Sequence, residues 1–191
     1  NDIIREAENI RLGLPTFEDE RMQDEPEPEN QKEEHQSYSV YEQAQRYRAA
    51  KAVLQDIYAL DAEHAEAVKA LEQLWEEGYT VAAHQLGKFY RDDLSTLRDH
   101  EKAEEWFRRS AEAGNDFSEY ALGKLLLTQK RWEEALGWLG KAADHGNQFA
   151  RYRLGKIYLA GESVPKDVAK ALAYLTASAD QGNQFAQYTL G

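Results

Sequence analysis

A stretch that opens Gly146-Asn147-Gln148-Phe149-Ala150 and closes Leu154-Gly155 returns as Gly182-Asn183-Gln184-Phe185-Ala186 closing Leu190-Gly191. A third copy runs from Gly114 to Gly123 and a looser fourth from Gly78 to Gly87, and in all four the two glycines stand nine residues apart. Self-similarity with a period of about 20 to 50 residues restricts a chain to a stack of like supersecondary units. Eleven residues before the first glycine of each copy stand Ala67, Ala103, Ala135 and Ala171; seven before stand Leu71, Phe107, Leu139 and Leu175; eight before stand Ala70, Trp106, Trp138 and Tyr174. The apolar residues keep a helical period, so each unit reads as a helical hairpin whose second helix ends at a glycine.

The distance from the second glycine to the next of those alanines is 16, 12 and 16 residues in successive units. All length variation therefore falls in the turn inside a hairpin and none in the link between hairpins. A change in the link would misalign every later interface, whereas the turn faces solvent. The alanine and glycine columns are small so that helices can approach closely. Ala103→Leu is expected to cost about 1–3 kcal/mol by overpacking, and truncating Trp106 or Trp138 to Ala about 3–5 kcal/mol.

The rest of the chain is read around that array. Residues 2–12 place Ile3, Ile4, Ala7 and Ile10 at helical spacing, a short amphipathic helix. Residues 14–36 form an expected linker, disordered or loosely docked: Pro15, Pro26 and Pro28 interrupt it, and between 18 and 34 nine acids face Arg21 and Lys32, a net −7 of the chain's −12. Residues 37–191 form the expected array, with a capping hairpin over 37–78, repeats over 79–114, 115–146 and 147–182, and a truncated repeat over 183–191. In the capping hairpin Tyr41, Ala44, Tyr47, Ala50, Val53, Leu54, Ile57 and Tyr58 carry the period of a long first helix, and Glu63 favours the start of the second. The last half-hairpin leaves Phe185, Tyr188 and Leu190 without a following helix, so association of two copies through it is expected.

Composition agrees with a thin core. Of 191 residues, 30% are charged, and mean hydropathy is −0.78. No apolar run approaches the roughly 18 residues of a membrane span, so no membrane partner is expected and the expected compartment is the cytoplasm. There is no cysteine, which removes disulfides and thiol catalysis. An acidic chain without a basic stripe is not expected to grip nucleic acid directly. Because residue 1 is Asn and residue 191 falls inside a repeat, the chain reads as a fragment, with room for a catalytic domain upstream.

The residues Ala150, Leu154-Gly155, Tyr158, Gly161, Val164-Pro165-Lys166-Asp167, Ala171, Tyr174-Leu175, Ala179 and Gly182 resemble a complete Sel-1-like repeat, a relative of the tetratricopeptide repeat. The resemblance covers residues 79–191 and, more loosely, 45–78, where Gln55 takes the place of a glycine and Ala50, Leu54 and Tyr58 keep the columns. Thr128-Gln129-Lys130-Arg131 departs from the usual glycine-containing turn. The resemblance implies an all-α fold, a right-handed α-solenoid of stacked helix-turn-helix repeats whose first helices line the concave side, and a non-catalytic scaffold or adaptor for proteins. The spelling from Thr176 to Gln184 is also similar to repeats carried behind the relaxase domain of mobilisation proteins from Gram-positive gut bacteria. The alternative is therefore an accessory tail of a DNA-nicking enzyme, although no relaxase tyrosine or histidine-cluster motif stands in these residues.

No enzyme chemistry or cofactor is expected. His35, His64, His84, His100 and His145 lack metal-ligand spacing. Glu76-Glu77, Glu104-Glu105 and Glu133-Glu134 are adjacent on helices and diverge by about 100°, so they read as solvated faces. No glycine is followed by the Lys-Ser/Thr of a phosphate cradle. One constellation points to binding. His84, Tyr120, Tyr152 and Tyr188 recur three residues before the second glycine, and Lys88, Lys124 and Lys156 one residue after it, with Arg151 and Arg153 nearby. On a shared surface these would form an aromatic strip edged by cations, fitted to an acidic or extended peptide. The competing reading is that the tyrosines pack between repeats and the lysines solvate the helix. The acidic segment 18–34 has the opposite sign and is a candidate to occupy the strip when no partner is bound, or a plain solvating spacer.

Overall fold

The computed structural model describes residues 34–56, 58–92 and 99–191, with side chains described from Val40 onward. The expected helix at 2–12 and the expected linker up to residue 33 lie outside the described residues. All regular structure among the described residues is helical: α1 (Glu34–Gln55), α2 (Asp61–Glu76), α3 (Val81–Arg91), α4 (His100–Glu112), α5 (Asp116–Thr128), α6 (Trp132–Asp144), α7 (Gln148–Ala160), α8 (Val168–Asp180) and α9 (Gln184–Leu190). They fall into two compact units divided after Asn115.

The first unit holds the α1–α2 and α3–α4 hairpins. Its core is Leu71, Leu74, Leu86 and Phe107, all but fully buried. The rings of Trp75 and Trp106 meet edge to face at 6.4 Å and join α2 to α4; those of His64 and Phe89 meet at 5.5 Å and join α2 to α3. α1 starts at Glu34, three residues ahead of its expected start, and stops at Gln55. The Asp56 N–H donates to Val53 O (3.1 Å) and its carboxylate accepts from the Tyr58 N–H (2.9 Å), which turns the chain out of the helix. Tyr58 is 87% exposed. This corrects the placing of Tyr58 among the packing columns: an Asx turn ends the helix before the hydrophobic period does. Glu63 acts as expected at the next start, its carboxylate accepting from the Leu60 N–H at 2.7 Å.

The second unit holds the α5–α6 and α7–α8 hairpins and α9, around Tyr120, Leu122, Leu126, Leu139, Leu154 and Leu175. In both units every second helix ends in the same way. In α6 the Asn147 N–H reaches Ala142 O (2.9 Å) and the Gly146 N–H reaches Ala143 O (3.1 Å), with Gly146 at φ +96°. Gly78, Gly114 and Gly182 repeat the arrangement. It is the Schellman closure, whose left-handed residue is cheapest as glycine. The next residue starts the following helix: Asn147 Oδ1 accepts from the Ala150 N–H, and Asn183 Oδ1 from the N–H groups of Phe185 and Ala186. At Gly146 and Gly182 one helix end and one helix start thus share three residues, which leaves no slack in those links; after Gly78 the next helix is capped one residue later, at Thr80, without a side-chain bond.

The second glycine of each unit has a separate cause. A Cβ on Gly123 would stand 2.7 Å from Leu139 Cγ, and one on Gly155 2.6 Å from Leu175 Cγ; on Gly87 it would strike the Phe107 ring. These glycines admit the large residue from the partner helix of their own hairpin. The four column alanines are buried as expected, and Trp106 and Trp138 are 7% and 9% exposed.

Candidate functional site

In the second unit the first helices α5, α7 and α9 are joined by two aromatic rungs. Tyr120 of α5 meets Phe149 of α7 with ring centroids 6.1 Å apart and planes at 37°; Tyr152 of α7 meets Phe185 of α9 at 6.0 Å and 35°. Each tyrosine stands three residues before its glycine and each phenylalanine two residues after the capping asparagine. The helical period therefore sets both on the side that faces the neighbouring first helix. Tyr120 is fully buried, Tyr152 half-buried, and Tyr188, the next in the column, is 73% exposed.

The cations occupy three different settings. Lys124, one turn beyond Tyr120 on α5, holds its Nζ 5.5 Å from that ring's centroid. Lys156, in the matching place on α7, is exposed. Arg151 is committed to the fold: Nε donates to Ala143 O (3.0 Å) and a terminal nitrogen to Gln181 Oε1 (2.8 Å). Arg153 is buried. The acids of this layer are engaged inward. Asp116 Oδ2 accepts from Asn147 Nδ2 at 3.0 Å, and the buried Glu119 carboxylate lies 2.8 Å from His145 Nδ1. α7 carries three cations and no acid, and α9 carries no charge.

His84 and Lys88 belong to the first unit and are described within it. His84 is 2% exposed with its ring 5.6 Å from that of Phe107. Burial holds its pKa well below the ordinary imidazole value, and the positive charges of Lys88, Arg91 and Lys51 act in the same direction. The ring is a neutral core group. Lys88 is half-buried.

Sequence reasoning missed a brace in three hairpins. The residue before each closing glycine reaches back to the first helix of its own hairpin: Glu77 to Arg46 (2.6 Å), His145 to Glu119 (2.8 Å) and Gln181 to Arg151 (2.8 Å). The three pairs share a place but no residue type, so no composition signal marks them. Their partners lie 26 to 31 residues apart in sequence. Among the described residues no group of three or more metal-ligating side chains converges, and no helix is long and apolar enough to cross a membrane.

Helical hairpins closed by glycine caps, with rungs between like helices, define a helical-repeat protein. The chain carries Sel1 repeats: the family model described as "Sel1 repeat" matches residues 80–115, 133–147 and 148–183. The crystal structure of a Sel1 repeat protein from Oxalobacter formigenes is similar over 78% of this chain and 62% of its own, at 28% identity and TM-score 0.65. A protective antigen of uropathogenic Escherichia coli strains, described as displaying an SLR fold, is similar over 96% of this chain at 21% identity and TM-score 0.65, and shares the fold. This chain spans 62% and 38% of those two proteins' lengths. No curated protein matches its sequence. Sel1 repeat proteins are generally protein-interaction scaffolds.

Proposed function

We propose that the chain is a non-catalytic scaffold whose second unit binds an acidic, extended segment of a partner protein along α5, α7 and α9. The observation that carries this is the disposition of charge on those helices. Lys124 and Lys156 repeat in register on neighbouring helices, while Asp116 and Glu119 are turned into hydrogen bonds within the unit. A carboxylate-rich chain meets cations there and no opposing acid. Tyr152 and Tyr188 supply the aromatic edge of the surface, with Tyr120 buried beneath it as a rung; Arg151 ties α7 to Ala143 and Gln181, and it and the buried Arg153 add to the positive potential of α7. In the first unit His84 and Lys88 continue the sequence column. Nothing in the descriptions of the matched proteins favours the relaxase-tail alternative.

The test is fluorescence anisotropy of a labelled polyglutamate-rich peptide titrated with the protein at two salt concentrations. Affinity is expected to fall as salt rises, and K124E/K156E to reduce it by at least about tenfold, as for two lost charge-assisted contacts. Binding unchanged in that variant would refute the reading.

A further inference from the structure

We infer that the first unit holds an anion site of its own, built by Lys51 of α1 and by Lys88 and Arg91 of α3, and that its ligand is a phosphoryl group. The inference concerns the first unit alone and does not depend on the reading of the second. His84, Lys88 and Arg91 stand at i, i+4 and i+7 on α3, within about 40° of one line along the helix. Lys51 comes to them from α1. Its Nζ lies 5.8 Å from the centroid of the Tyr47 ring, which meets the ring of Tyr79, just ahead of α3, at 5.4 Å. Arg91 holds its Cζ 5.8 Å from the centroid of the Phe107 ring, itself 5.6 Å from that of His84. Three half-buried cations thus gather over a floor of Tyr47, His84 and Phe107, all of them buried.

Charge sets this gathering apart from the rest of its unit. Residues 1–115 are strongly acidic, but Glu66, Glu77, Glu104 and Glu105 are bridged to Lys69, Arg46, Arg108 and Arg109. Asp92 Oδ1 accepts from Arg91 Nε and Nη2 at 3.1 and 2.9 Å. Among the described residues the charges that bear on the His84 ring are all positive, whereas Glu72 and Asp99 bear on Tyr90, about 120° round α3. Like charges held close in a part-buried setting repel, and an anion among them relieves the repulsion. Shape selects the phosphoryl group over a carboxylate. It presents three terminal oxygens, one for each cation, and a charge of about −1.5 to −2 at neutral pH, where a carboxylate presents two oxygens and a single charge. Inorganic phosphate and a phosphorylated side chain of a partner protein both offer that group.

The test follows the His84 ring by NMR in the full chain as sodium phosphate is added at constant pH, with sodium chloride at matched ionic strength as the control. A saturable shift with phosphate and none with chloride is expected. The His84 pKa should rise with it, because the bound anion offsets the cations that, after burial, hold it down. K51Q/K88Q should weaken phosphate by at least about tenfold and, with two like charges removed from half-buried positions, keep the helical circular dichroism of the parent. A phosphoserine peptide that binds more tightly than inorganic phosphate assigns the group to a phosphorylated partner; one that binds no tighter assigns it to the free anion, and either result supports the site. A wild type that gives no saturable shift, or the same shift with chloride, overturns the inference whatever the variant does. Unchanged affinity in K51Q/K88Q overturns it too, as does a glutamate peptide that matches the phosphoserine one.

Discussion

At the scale of single residues, repetition makes each unit a control for the next. Asn147 and Asn183 both cap a first helix, but only Asn147 has an acid within reach of its amide: Nδ2 donates to Asp116 at the start of α5, whereas Asn183 Nδ2 is buried without a hydrogen bond. The matching residue at the start of α7 is Gln148. Gln148→Asp should supply the missing acceptor and place an anion at a helix N-terminus, raising stability by about 1 kcal/mol in urea unfolding. α5 ends in the Schellman closure with Lys130 at φ +60°, its N–H on Leu127 O and that of Arg131 on Leu126 O. The sequence marked this turn as a departure and gave no geometry for it, because a lone left-handed lysine leaves no compositional trace. Lys130→Gly should add about 1 kcal/mol, read as a higher unfolding midpoint with an unchanged slope. His84 fixes a pH dependence. Its folded pKa lies well below the unfolded value of about 6.5, so the unfolded chain binds the extra proton and stability falls as pH drops below about 6.5. Above that pH His84 makes no pH-dependent contribution. H84Q should therefore lose less stability than the wild type between about pH 7 and pH 5.

At the scale of helices, the sequence was most legible where one residue type answered one geometric need. The closing glycines, the buried alanines and the phenylalanine and leucine that fill the hairpin glycines all recur because each contact tolerates few alternatives. Tyr58 misled because its period fits the helix and only the Asx turn at Asp56 removes it. The candidate tyrosine column had two readings open, and the helices divide them: Tyr120 is a buried rung, Tyr152 half-buried, and Tyr188 open. Helical glycines differ in the same way. A Cβ at Gly155 meets Leu175 Cγ at 2.6 Å and Ala171 O at 3.2 Å, whereas one at Gly137 meets nothing within 4 Å. Gly155→Ala should cost about 1–3 kcal/mol even after its gain in helix propensity, while Gly137→Ala should add about 1 kcal/mol, both read from thermal unfolding. A similar response at the two sites would mean that Gly155 is no closer-packed than an exposed helical glycine.

At the scale of the whole chain, charge is divided as sharply as packing is repeated. Residues 116–191 hold eight acids and nine cations, a net +1, so residues 1–115 carry −13 of the chain's −12. Composition alone reported an acidic protein and hid the second unit's cationic helices; their exposure depends on which acids the hydrogen bonds of Asn147 and His145 draw inward. Register of Lys124 with Lys156 depends in turn on the constant link between hairpins. The central claim is that this link is rigid and the hairpin turn is slack. Its most direct measurement is the urea unfolding free energy of two one-residue insertions in the second unit, one between Gly146 and Asn147 and one after Ser163. The first separates the Asn147 N–H from Ala142 O and so detaches the capped start of α7 from the end of α6, and should cost at least about 2 kcal/mol. The second lengthens a turn anchored outside the insertion by Gly161 to Ile157 and Asp167 to Tyr158, and should cost no more than about 0.5 kcal/mol. Equal losses from the two insertions would contradict the account.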